Sequence, residues 1–340
     1  PISDLLVGRL LKANMRVLDI GTGPGSIPVG IIEFYKLLAK AFGEISFSLD
    51  FTLVDGQKVF LSLAEKIIDL LHRDLPRNLA VSINGCIQLQ VTPASCPQLP
   101  ADFDIITCSN VLTANERKIG FSAEELTRAL ARLQSPNSSL IIIEPGDEKD
   151  GQALKQLRNS IVNSHMLNLY APCVDIWNQR DGYRCTCFNP IRCYWAIPTI
   201  IKFFIENGVR KSKRKYVPFH YVVFRNDEAC KYSSKPSPRY YKKLADLKDY
   251  DGQVLNIMAM VRSAFDEGDS FTLHLCDGTN QYNSGYPVVK LIAPKNQLKS
   301  KGIDIRFLSA ERLTVKKVKV QVNNGIVLHL QENTSIIVDY

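Results

Sequence analysis

The chain has 340 residues, enough for two domains, and its 45% hydrophobic content is ordinary for a globular protein. No apolar run reaches about 18 residues, so we expect no transmembrane helix, and no signal peptide is visible. The net charge of +8 lies in the C-terminal part, because residues 200–340 hold 23 Lys and Arg against 14 Asp and Glu. This asymmetry favours a polyanionic partner such as RNA, although a solvated lysine-rich surface would give the same counts.

The first strong pattern is Arg16-Val-Leu-Asp-Ile-Gly-Thr-Gly-Pro-Gly-Ser26, in which an apolar run ends in Asp19 and three glycines follow. It predicts a buried strand that turns sharply into a helix, with Gly21, Gly23 and Gly25 letting the backbone approach a ligand. The G-x-G-x-G interval differs from the G-x-G-x-x-G of dinucleotide sites. A carboxylate before the glycines suits a cationic ligand without phosphate, such as S-adenosylmethionine. A tight turn without a ligand is the alternative.

Downstream of this turn, short apolar segments alternate with helical patterns. Such alternation predicts a doubly wound, Rossmann-like α/β domain whose parallel sheet is covered on both faces. Ligands of such sheets bind at the carboxyl ends of the strands. The predicted strands are Phe51–Asp55, Val81–Gly85, Phe103–Asn110 and Leu140–Glu144, and the predicted helices span 57–71 and 122–133.

Polar residues and a glycine at these strand ends are further candidate cofactor ligands. Asp55 can accept both ribose hydroxyls, although it could instead cap the following helix. Gly85 and Cys86 are placed to border an adenine, and Asn110 ends the fourth predicted strand. Together with Asp19 and the three glycines, these residues favour a class I methyltransferase-type site.

Four of the nine cysteines fall within 21 residues of a loop-rich stretch: Cys173, Cys185, Cys187 and Cys193. A stretch with so few aliphatic residues cannot pack a core of its own and needs a cross-link to fold. A bound metal suits it better than disulfides, because nothing suggests secretion. The irregular spacing is unusual for zinc and slightly favours an iron–sulfur cluster. The second and third cysteines would be strained on one cluster, so a remote ligand could come from Cys276 or, less favourably, from Cys230.

The run Arg210-Lys-Ser-Lys-Arg-Lys215 follows a predicted helix at 197–207 and has aromatic residues beside it. Cations of this kind suit RNA phosphates, and neighbouring rings suit stacking on bases. A charged loop at a helix end is an equally weighted alternative. The candidate RNA ligands are Arg210, Lys211, Lys213, Arg214 and Lys215.

Beyond a linker at 231–238, we predict a helix over about 252–265 and then five short strands. The strand candidates are Phe271–Cys276, Val288–Ile292, Arg312–Val322, Gly325–Leu330 and Ser335–Val338. They predict a C-terminal small antiparallel β-barrel of the oligonucleotide-binding kind. Lysines within 313–320 alternate with β-branched residues and would give either one basic face or a protected edge strand.

These features together resemble the mitochondrial, bacterial and archaeal small-ribosomal-subunit methyltransferase-like proteins, a family of ribosome assembly factors. The resemblance covers roughly residues 15–280, and the succession from Glu-Pro-Gly to Ala-Pro-Cys is its most specific part. The segments that carry it are Leu18–Gly25, Ile143–Gly146 with Gly151 and Arg158, Ala171–Cys173, Phe219–Arg225 and Leu273–Cys276.

The resemblance implies S-adenosylmethionine binding, a 4Fe–4S cluster and association with the small ribosomal subunit and its rRNA. It suggests Cys173, Cys185, Cys193 and Cys276 as cluster ligands, with Cys187 kept as an alternate and zinc as the alternative metal. No membrane and no DNA partner is expected. Such a protein would work in the cytoplasm of a prokaryote or in the mitochondrion of a eukaryote.

The expected organisation is a class I methyltransferase-like domain over 1–230, with a cysteine-rich metal-binding insertion at about 170–195, and a basic β-rich domain over 231–340. No catalytic base stands out, and the end of the fourth strand lacks the Asn/Asp-Pro-Pro-Tyr/Phe element of many base-amino methyltransferases. Methyl transfer needs mostly positioning, so an rRNA methyltransferase remains the leading hypothesis. A non-catalytic RNA-binding assembly factor and a small-molecule methyltransferase with structural zinc are the alternatives.

Overall fold

The structure is a computed structural model that divides into two compact units, Pro1–Ala171 with Cys193–Ala229, and Pro172–Arg192 with Cys230–Tyr340. Each unit has a hydrophobic core of its own. No helix among the described residues is both long enough and apolar enough to cross a membrane. The described residues are 1–112, 120–172, 174, 176–177, 193–196, 206–207, 216–232, 235–279, 289–304, 311–323 and 325–339.

The first unit alternates helices with strands along most of its length. Its strands in the described part are β1 (Asn14–Ile20), β2 (Phe47–Asp55), β3 (Leu79–Gln88), β4 (Phe103–Ser109), β5 (Gln134–Pro145), β6 (Asn168–Ala171), β7 (Cys193–Ala196) and β8 (Tyr216–Arg225). Its helices there are α1 (Ile2–Val7), α2 (Ser26–Ala41), α3 (Lys58–Leu71), α4 (Ala123–Ala131) and α5 (Glu148–Asn163).

These strands form one mixed sheet in the order β3-β2-β1-β4-β5-β8-β6, with β7 pairing to β8. The first five strands are parallel, whereas β8 runs antiparallel to both β5 and β6. This order, with the antiparallel strand inserted beside β5, is that of the class I methyltransferase fold. The predicted doubly wound, Rossmann-like sheet is therefore confirmed.

The central strand β1 explains why the cofactor-type turn lies where it does. Val17, Leu18 and Ile20 are fully buried, because helices cover both faces of the sheet. The strand order reverses beside β1, since β2 lies on one side of it and β4 on the other. A crevice forms at such a reversal, at the carboxyl ends of the strands.

The segment after β5 packs closely against β8. Glu144 is fully buried, its Oε1 accepts a hydrogen bond from Leu112 N at 3.1 Å, and His220 lies opposite it in the strand register. Gly151 of α5 lies against the His220 imidazole, so near that a Cβ there would come within 2.5 Å of Nε2. The close approach of Gly151 to His220 thus packs α5 against β8, and buried Glu144 connects β5 to the segment after β4.

The second unit contains a closed five-stranded barrel in the order β10-β11-β13-β12-β9, which confirms the predicted barrel. Its pairs are antiparallel except β11 with β13, so the expectation of a purely antiparallel barrel was wrong. This order, with a helix between the third and fourth strands, is that of the oligonucleotide-binding fold. The elements are β9 (Val254–Glu267), β10 (Ser270–Cys276), β11 (Val289–Pro294), α6 (Lys295–Ser300), β12 (Arg312–Val322) and β13 (Ile326–Asp339), preceded by a 3-10 helix at Leu244–Tyr250.

Two secondary-structure predictions in this unit were wrong. The predicted helix over about 252–265 is strand β9, and the predicted strands at Gly325–Leu330 and Ser335–Val338 are parts of the single strand β13. Residues 257–262 of β9 are buried without interruption, so the alternation that marks a half-exposed strand is missing. The predicted number of five barrel strands is right only because the missed strand β9 offsets the division of β13 into two strands.

We predict that Gly151→Ala destabilises the first unit by about 1–3 kcal/mol, because the added methyl group would overlap the His220 ring. Gly30→Ala is the matched control, since Gly30 also lies inside a helix but a Cβ added there would have no atom within 4 Å. That control should be neutral or stabilising by about 0.5–1 kcal/mol. Urea denaturation followed by far-UV circular dichroism measures both, and equal midpoints for the two variants would contradict the packing account.

Candidate functional site

The glycine turn at residues 21–25 is fastened to the end of the neighbouring strand β2. Gly21 N and Thr22 N both donate to Val54 O, at 2.8 and 3.0 Å. The Thr22 hydroxyl donates to Asp19 O at 3.0 Å and accepts from Val54 N at 3.2 Å. Backbone and side-chain hydrogen bonds therefore hold the turn against the end of β2, as a preorganised binding loop requires.

The three glycines of the turn do different things. All three have positive φ, at 69°, 54° and 87° for Gly21, Gly23 and Gly25, a region that other residues enter at a cost. A Cβ on Gly21 would lie 2.2 Å from Val111 Cγ2, and one on Gly25 would lie 3.1 Å from Ala64 Cβ of α3. A Cβ on Gly23 would meet only Gly21 O at 3.9 Å, so its exposed side is open to a ligand.

Asp19 lies beneath the turn and is 1% exposed. Its Oδ1 accepts a hydrogen bond from the Thr107 hydroxyl at 2.5 Å, and its Oδ2 has no hydrogen-bond partner among the described residues. Burial raises the pKa of Asp19 to about 7, with the nearby negative charge of Asp55 adding to the rise and the Thr107 and Thr22 hydroxyls opposing it. Asp19 does not line the pocket above the turn, so any influence on a ligand passes through the turn.

Asp55 ends β2 and points at the turn. Its Oδ2 accepts a hydrogen bond from Gly23 N at 2.9 Å, and its Oδ1 accepts from Gln57 N at 2.8 Å. The helix-capping alternative is only partly met, because Gln57 occupies the N-cap position of α3. Each carboxylate oxygen can accept a second hydrogen bond, so the outer lone pairs remain for a diol.

A pocket of about 460 Å³ opens over the turn. Gly21 to Gly23, Asp55, Gln57, Phe60, Ser109 and Asn110 line it, and Leu89 to Val91 form another part of its wall. Its volume lies in the range of small-molecule and cofactor sites. The pocket brings together four of the sequence-predicted residues: Gly21, Gly23, Asp55 and Asn110.

Asn110 stands at the carboxyl end of β4 in a left-handed conformation, with φ of 57°. Its backbone N donates to Ile143 O at 2.8 Å, which fixes the corner, and its side chain is exposed beside the pocket. Asparagine tolerates this conformation better than most residues because its short side chain bonds locally. The expected position of Asn110 at the site is therefore observed.

Gly85 and Cys86 do not border the pocket. Strand β3 continues to Gln88, so both residues lie inside the strand, paired with Thr52 and Leu53 of β2. Burial and a hydrogen bond with Glu65 raise the pKa of the Cys86 thiol to about 12, which fits a packed, unreactive residue. The pocket wall that they were expected to supply comes from Leu89, Gln90 and Val91.

The cysteine group falls mainly outside the described residues. Cys173, Cys185 and Cys187 lie outside them, and Cys193 is described only as the first residue of β7 in the first unit. Cys276 ends β10 and is buried, whereas Cys230 is exposed. Among the described residues, no group of three or more His, Cys, Asp and Glu side chains is arranged to hold a metal ion.

Cys276 lies on a covered part of the outer surface of the barrel. It pairs with Met260 across β9 and β10, and directly paired residues point to the same face. Met260 belongs to a small buried cluster with Met258, Val174 and Ile176. Val174, Ile176 and the buried end of β10 therefore lie at one face of the second unit.

Asp277 joins the segment of Val174, Ile176 and Trp177 to the barrel. Its Oδ2 accepts hydrogen bonds from the Trp177 indole Nε1 at 2.7 Å and from Leu244 N at 2.8 Å. Its Oδ1 accepts from both the backbone N and the hydroxyl of Thr279, at 2.9 and 2.6 Å. No local sequence pattern indicates the contact between Trp177 and Asp277, because the two residues lie 100 positions apart.

The predicted RNA ligands Arg210, Lys211, Lys213, Arg214 and Lys215 lie outside the described residues, as does most of the predicted helix before them. Lysines of β12 are described and exposed: Lys316, Lys317 and Lys319. The strand is paired on both sides, so the protected-edge interpretation of these lysines is wrong. The basic-face interpretation remains.

No protein-family model matches the chain, and no curated protein sequence matches it significantly. Among solved structures, the YcgJ protein from Bacillus subtilis aligns at 15% identity over 66% of this chain and 97% of that chain, with a TM-score of 0.34. A TehB-like SAM-dependent methyltransferase from Corynebacterium glutamicum aligns at 15% identity over 65% and 87%, with a TM-score of 0.30. The 4+2 cyclase SpnF aligns at 14% identity over 66% and 81%, with a TM-score of 0.34. Because these TM-scores are low, the fold of the first unit rests on its strand order.

We predict that Asp19→Asn stabilises the protein at pH 8 and does so progressively less toward pH 4. The folded state holds the Asp19 proton more tightly than the unfolded chain does, so the native carboxyl lowers stability as pH rises from 3.8 to about 7. Asparagine cannot ionise and escapes this loss, which is about 1–4 kcal/mol at one pKa unit per 1.36 kcal/mol. Urea unfolding of both proteins across this pH range measures the difference.

Asp227→Asn is the control of opposite sign. The Arg225 guanidinium hydrogen-bonds Asp227 and lowers the pKa of that carboxyl, so its stabilising contribution is present at neutral pH and is lost as pH falls. This variant should be destabilised at pH 8 and less so at low pH. A pH-independent effect of Asp19→Asn would contradict the buried, proton-holding carboxyl.

Proposed function

We propose that the first unit binds S-adenosylmethionine in the pocket over the glycine turn and serves as a methyltransferase. The observation that carries the proposal is the joining of a glycine turn and a strand-end carboxylate by the hydrogen bond from Gly23 N to Asp55 Oδ2, at 2.9 Å. This contact brings the open glycine backbone of the turn beside an acid that can bind a ribose. The strand order of a class I methyltransferase supports the same ligand.

The residues of the pocket fit this cofactor. The open side of Gly23 leaves room for a ligand where any other residue would carry a Cβ. Asp55 would hold the ribose hydroxyls, and the wall at Leu89 to Val91 would receive the adenine. Asp19 Oδ2, which lies beneath the turn without a hydrogen-bond partner in the described part of the chain, leaves negative character for a cationic ligand when the carboxyl is ionised.

When bound, S-adenosylmethionine supplies an electrophilic methyl group on its sulfonium. The protein's part in such a transfer is to orient the cofactor and the acceptor and to exclude water. Asn110 and Ser109 at the end of β4 border the pocket and are the polar residues best placed to contact an acceptor.

We predict that Asp55→Ala weakens binding of S-adenosylhomocysteine by about 10–100-fold, because two hydrogen bonds to a charged acceptor are lost. Asp50→Ala is the matched control: Asp50 lies on the same strand, bonds Ser82 and Asn84, and does not line the pocket. Isothermal titration calorimetry measures both affinities. Equal affinity for the two variants, or no binding by the native protein, would contradict the proposal.

The substrate we propose is rRNA of the small ribosomal subunit, in a protein that also holds a 4Fe–4S cluster. This part depends on the resemblance of the sequence, which suggests Cys173, Cys185, Cys193 and Cys276 as ligands with Cys187 as an alternate. The packing of Val174 and Ile176 against Met260, the strand partner of Cys276, supports a role for Cys276. A non-catalytic assembly factor would share these features.

We predict that anaerobically purified protein is brown and contains about four iron and four sulfide per chain, as a 4Fe–4S cluster requires. Cys276→Ser should lower the iron content, whereas Cys230→Ser, which changes an exposed cysteine of the same unit, should leave it unchanged. Visible absorption with iron, sulfide and zinc analysis gives the answer. Zinc in place of iron, or iron retained in Cys276→Ser, would contradict this assignment.

A further inference from the structure

The outer surface of the barrel carries a group of cations beside aromatic rings, which we call the β9–β12 surface. It combines a stretch before the barrel with strand β12, and its residues are Arg239, Tyr240, Lys242, Tyr250, Lys316, Lys317 and Lys319. Tyr240 is the more exposed of its two aromatic residues, at 61%. All seven belong to the second unit, so the surface exists independently of the cofactor pocket.

One side chain joins the two parts of this surface. The Asn256 amide donates through Nδ2 to Tyr240 O at 3.1 Å and accepts through Oδ1 from Lys317 N at 2.9 Å. Lys242 N donates to Asn256 O at 3.0 Å. Tyr240, Lys242 and Lys317 are thus held around a single residue of β9, and their spacing is fixed by the barrel.

A bulge in β12 turns its lysines outward. The register of β12 shifts between Lys316 and Val318, and Lys317 there has a left-handed φ of 59°. Val315, Val318 and Val320 remain fully buried in the barrel core. Lys316, Lys317 and Lys319 are consequently exposed together on the outside of one strand.

The cations of this surface lack carboxylate partners within the described part of the chain. Elsewhere in the second unit, Lys231 pairs with Glu311, Lys295 with Asp266 and Arg312 with Asp339. Arg239 and Lys242 instead lie over the rings of Tyr240 and Tyr250, at 5.6 and 5.2 Å. Asp246 and Asp249 on the neighbouring 3-10 helix are exposed and form no ion pair with them.

Unpaired cations beside an exposed ring match the chemistry of a single-stranded polynucleotide, whose phosphates need charge and whose bases stack on aromatic faces. A folded protein partner would instead require a larger apolar centre. An anionic membrane surface would accept the same cations, so anionic vesicles are included in the test. The oligonucleotide-binding fold usually binds through its second and third strands, which here are β10 and β11. The β9–β12 surface is therefore a different surface of the barrel.

We propose that the β9–β12 surface binds a single-stranded polynucleotide, with Lys316, Lys317 and Lys319 on successive phosphates and Tyr240 stacked on a base. This inference extends the proposed RNA partner to the second unit. It does not depend on cofactor binding, because its residues lie outside the pocket.

The test is fluorescence anisotropy with a labelled 20-nucleotide single-stranded RNA and a DNA of the same sequence, using the full chain. We compare Lys316→Gln/Lys317→Asn/Lys319→Gln with the α6 control Lys290→Gln/Lys295→Gln/Lys299→Gln, which changes lysines of α6 and of the preceding strand β11. Both triple variants remove three positive charges, and asparagine suits the left-handed position of Lys317. Circular dichroism is used to check that both variants are folded.

We expect the β12 variant to lose at least about tenfold in affinity and to lower the salt dependence by about three phosphate contacts, at roughly 0.7 per contact. The α6 control should change affinity less than about threefold. Tyr240→Ala should lose about fivefold, from one stacked base. A preference for the RNA over the DNA identifies RNA as the source of the strand, and the reverse preference identifies DNA.

Equal losses in the two triple variants would overturn the proposal, because charge anywhere would then suffice. So would a loss confined to the α6 control, which would point to the β10–β11 side. Equally tight, equally β12-dependent binding of anionic phosphatidylserine vesicles or poly-glutamate would also overturn it. S-adenosylhomocysteine titration of the same variants keeps the two proposals separate, since the cofactor affinity should remain at the native value.

Discussion

The candidate site depends on the fastening of the glycine turn to the end of β2. Val54 O accepts hydrogen bonds from Gly21 N and Thr22 N, the Thr22 hydroxyl bridges β1 and β2, and Asp55 accepts from Gly23 N. These contacts need parallel strands that end together, which the buried sheet supplies. If the two strand ends moved apart, the turn would lose its shape and the carboxylate would leave the pocket. The pairing of β1 with β2 therefore fixes both the sheet and the geometry of the candidate site.

Burial of Asp19 illustrates how this constraint affects chemistry. The carboxyl is kept beneath the turn with one oxygen bound to Thr107 and the other without a partner among the described residues. Such a group disfavours its charged form, and the pKa rises accordingly to about 7. A cationic ligand nearby would favour the charged form again. The free energy of unfolding is therefore expected to depend on pH through Asp19.

Local patterns predicted the parts of the fold that depend on local physics. The turn, β2, β4 and the alternation of strands and helices follow from apolar runs, glycines and strand-end acids, and Asp55 and Asn110 reach the pocket as expected. Gly85 and Cys86 do not reach the pocket because β3 pairs with β2 as far as Gln88, so both residues lie inside the strand and not at its end. Strand β9 resembled a helix because both its faces are covered, one by the barrel core and one by Val174 and Ile176. The Trp177–Asp277 contact is wholly tertiary and has no local signal.

The central claim is that the pocket over the turn is an S-adenosylmethionine site shaped by Asp55 and the wall after β3. A crystal structure of the protein with S-adenosylhomocysteine tests it most directly. The account predicts the ribose hydroxyls within hydrogen-bond distance of the Asp55 carboxylate, the adenine against Leu89 to Val91, and the homocysteine part over Gly21 to Gly23. A ligand bound elsewhere, or an adenine seated against Gly85 and Cys86, would contradict it.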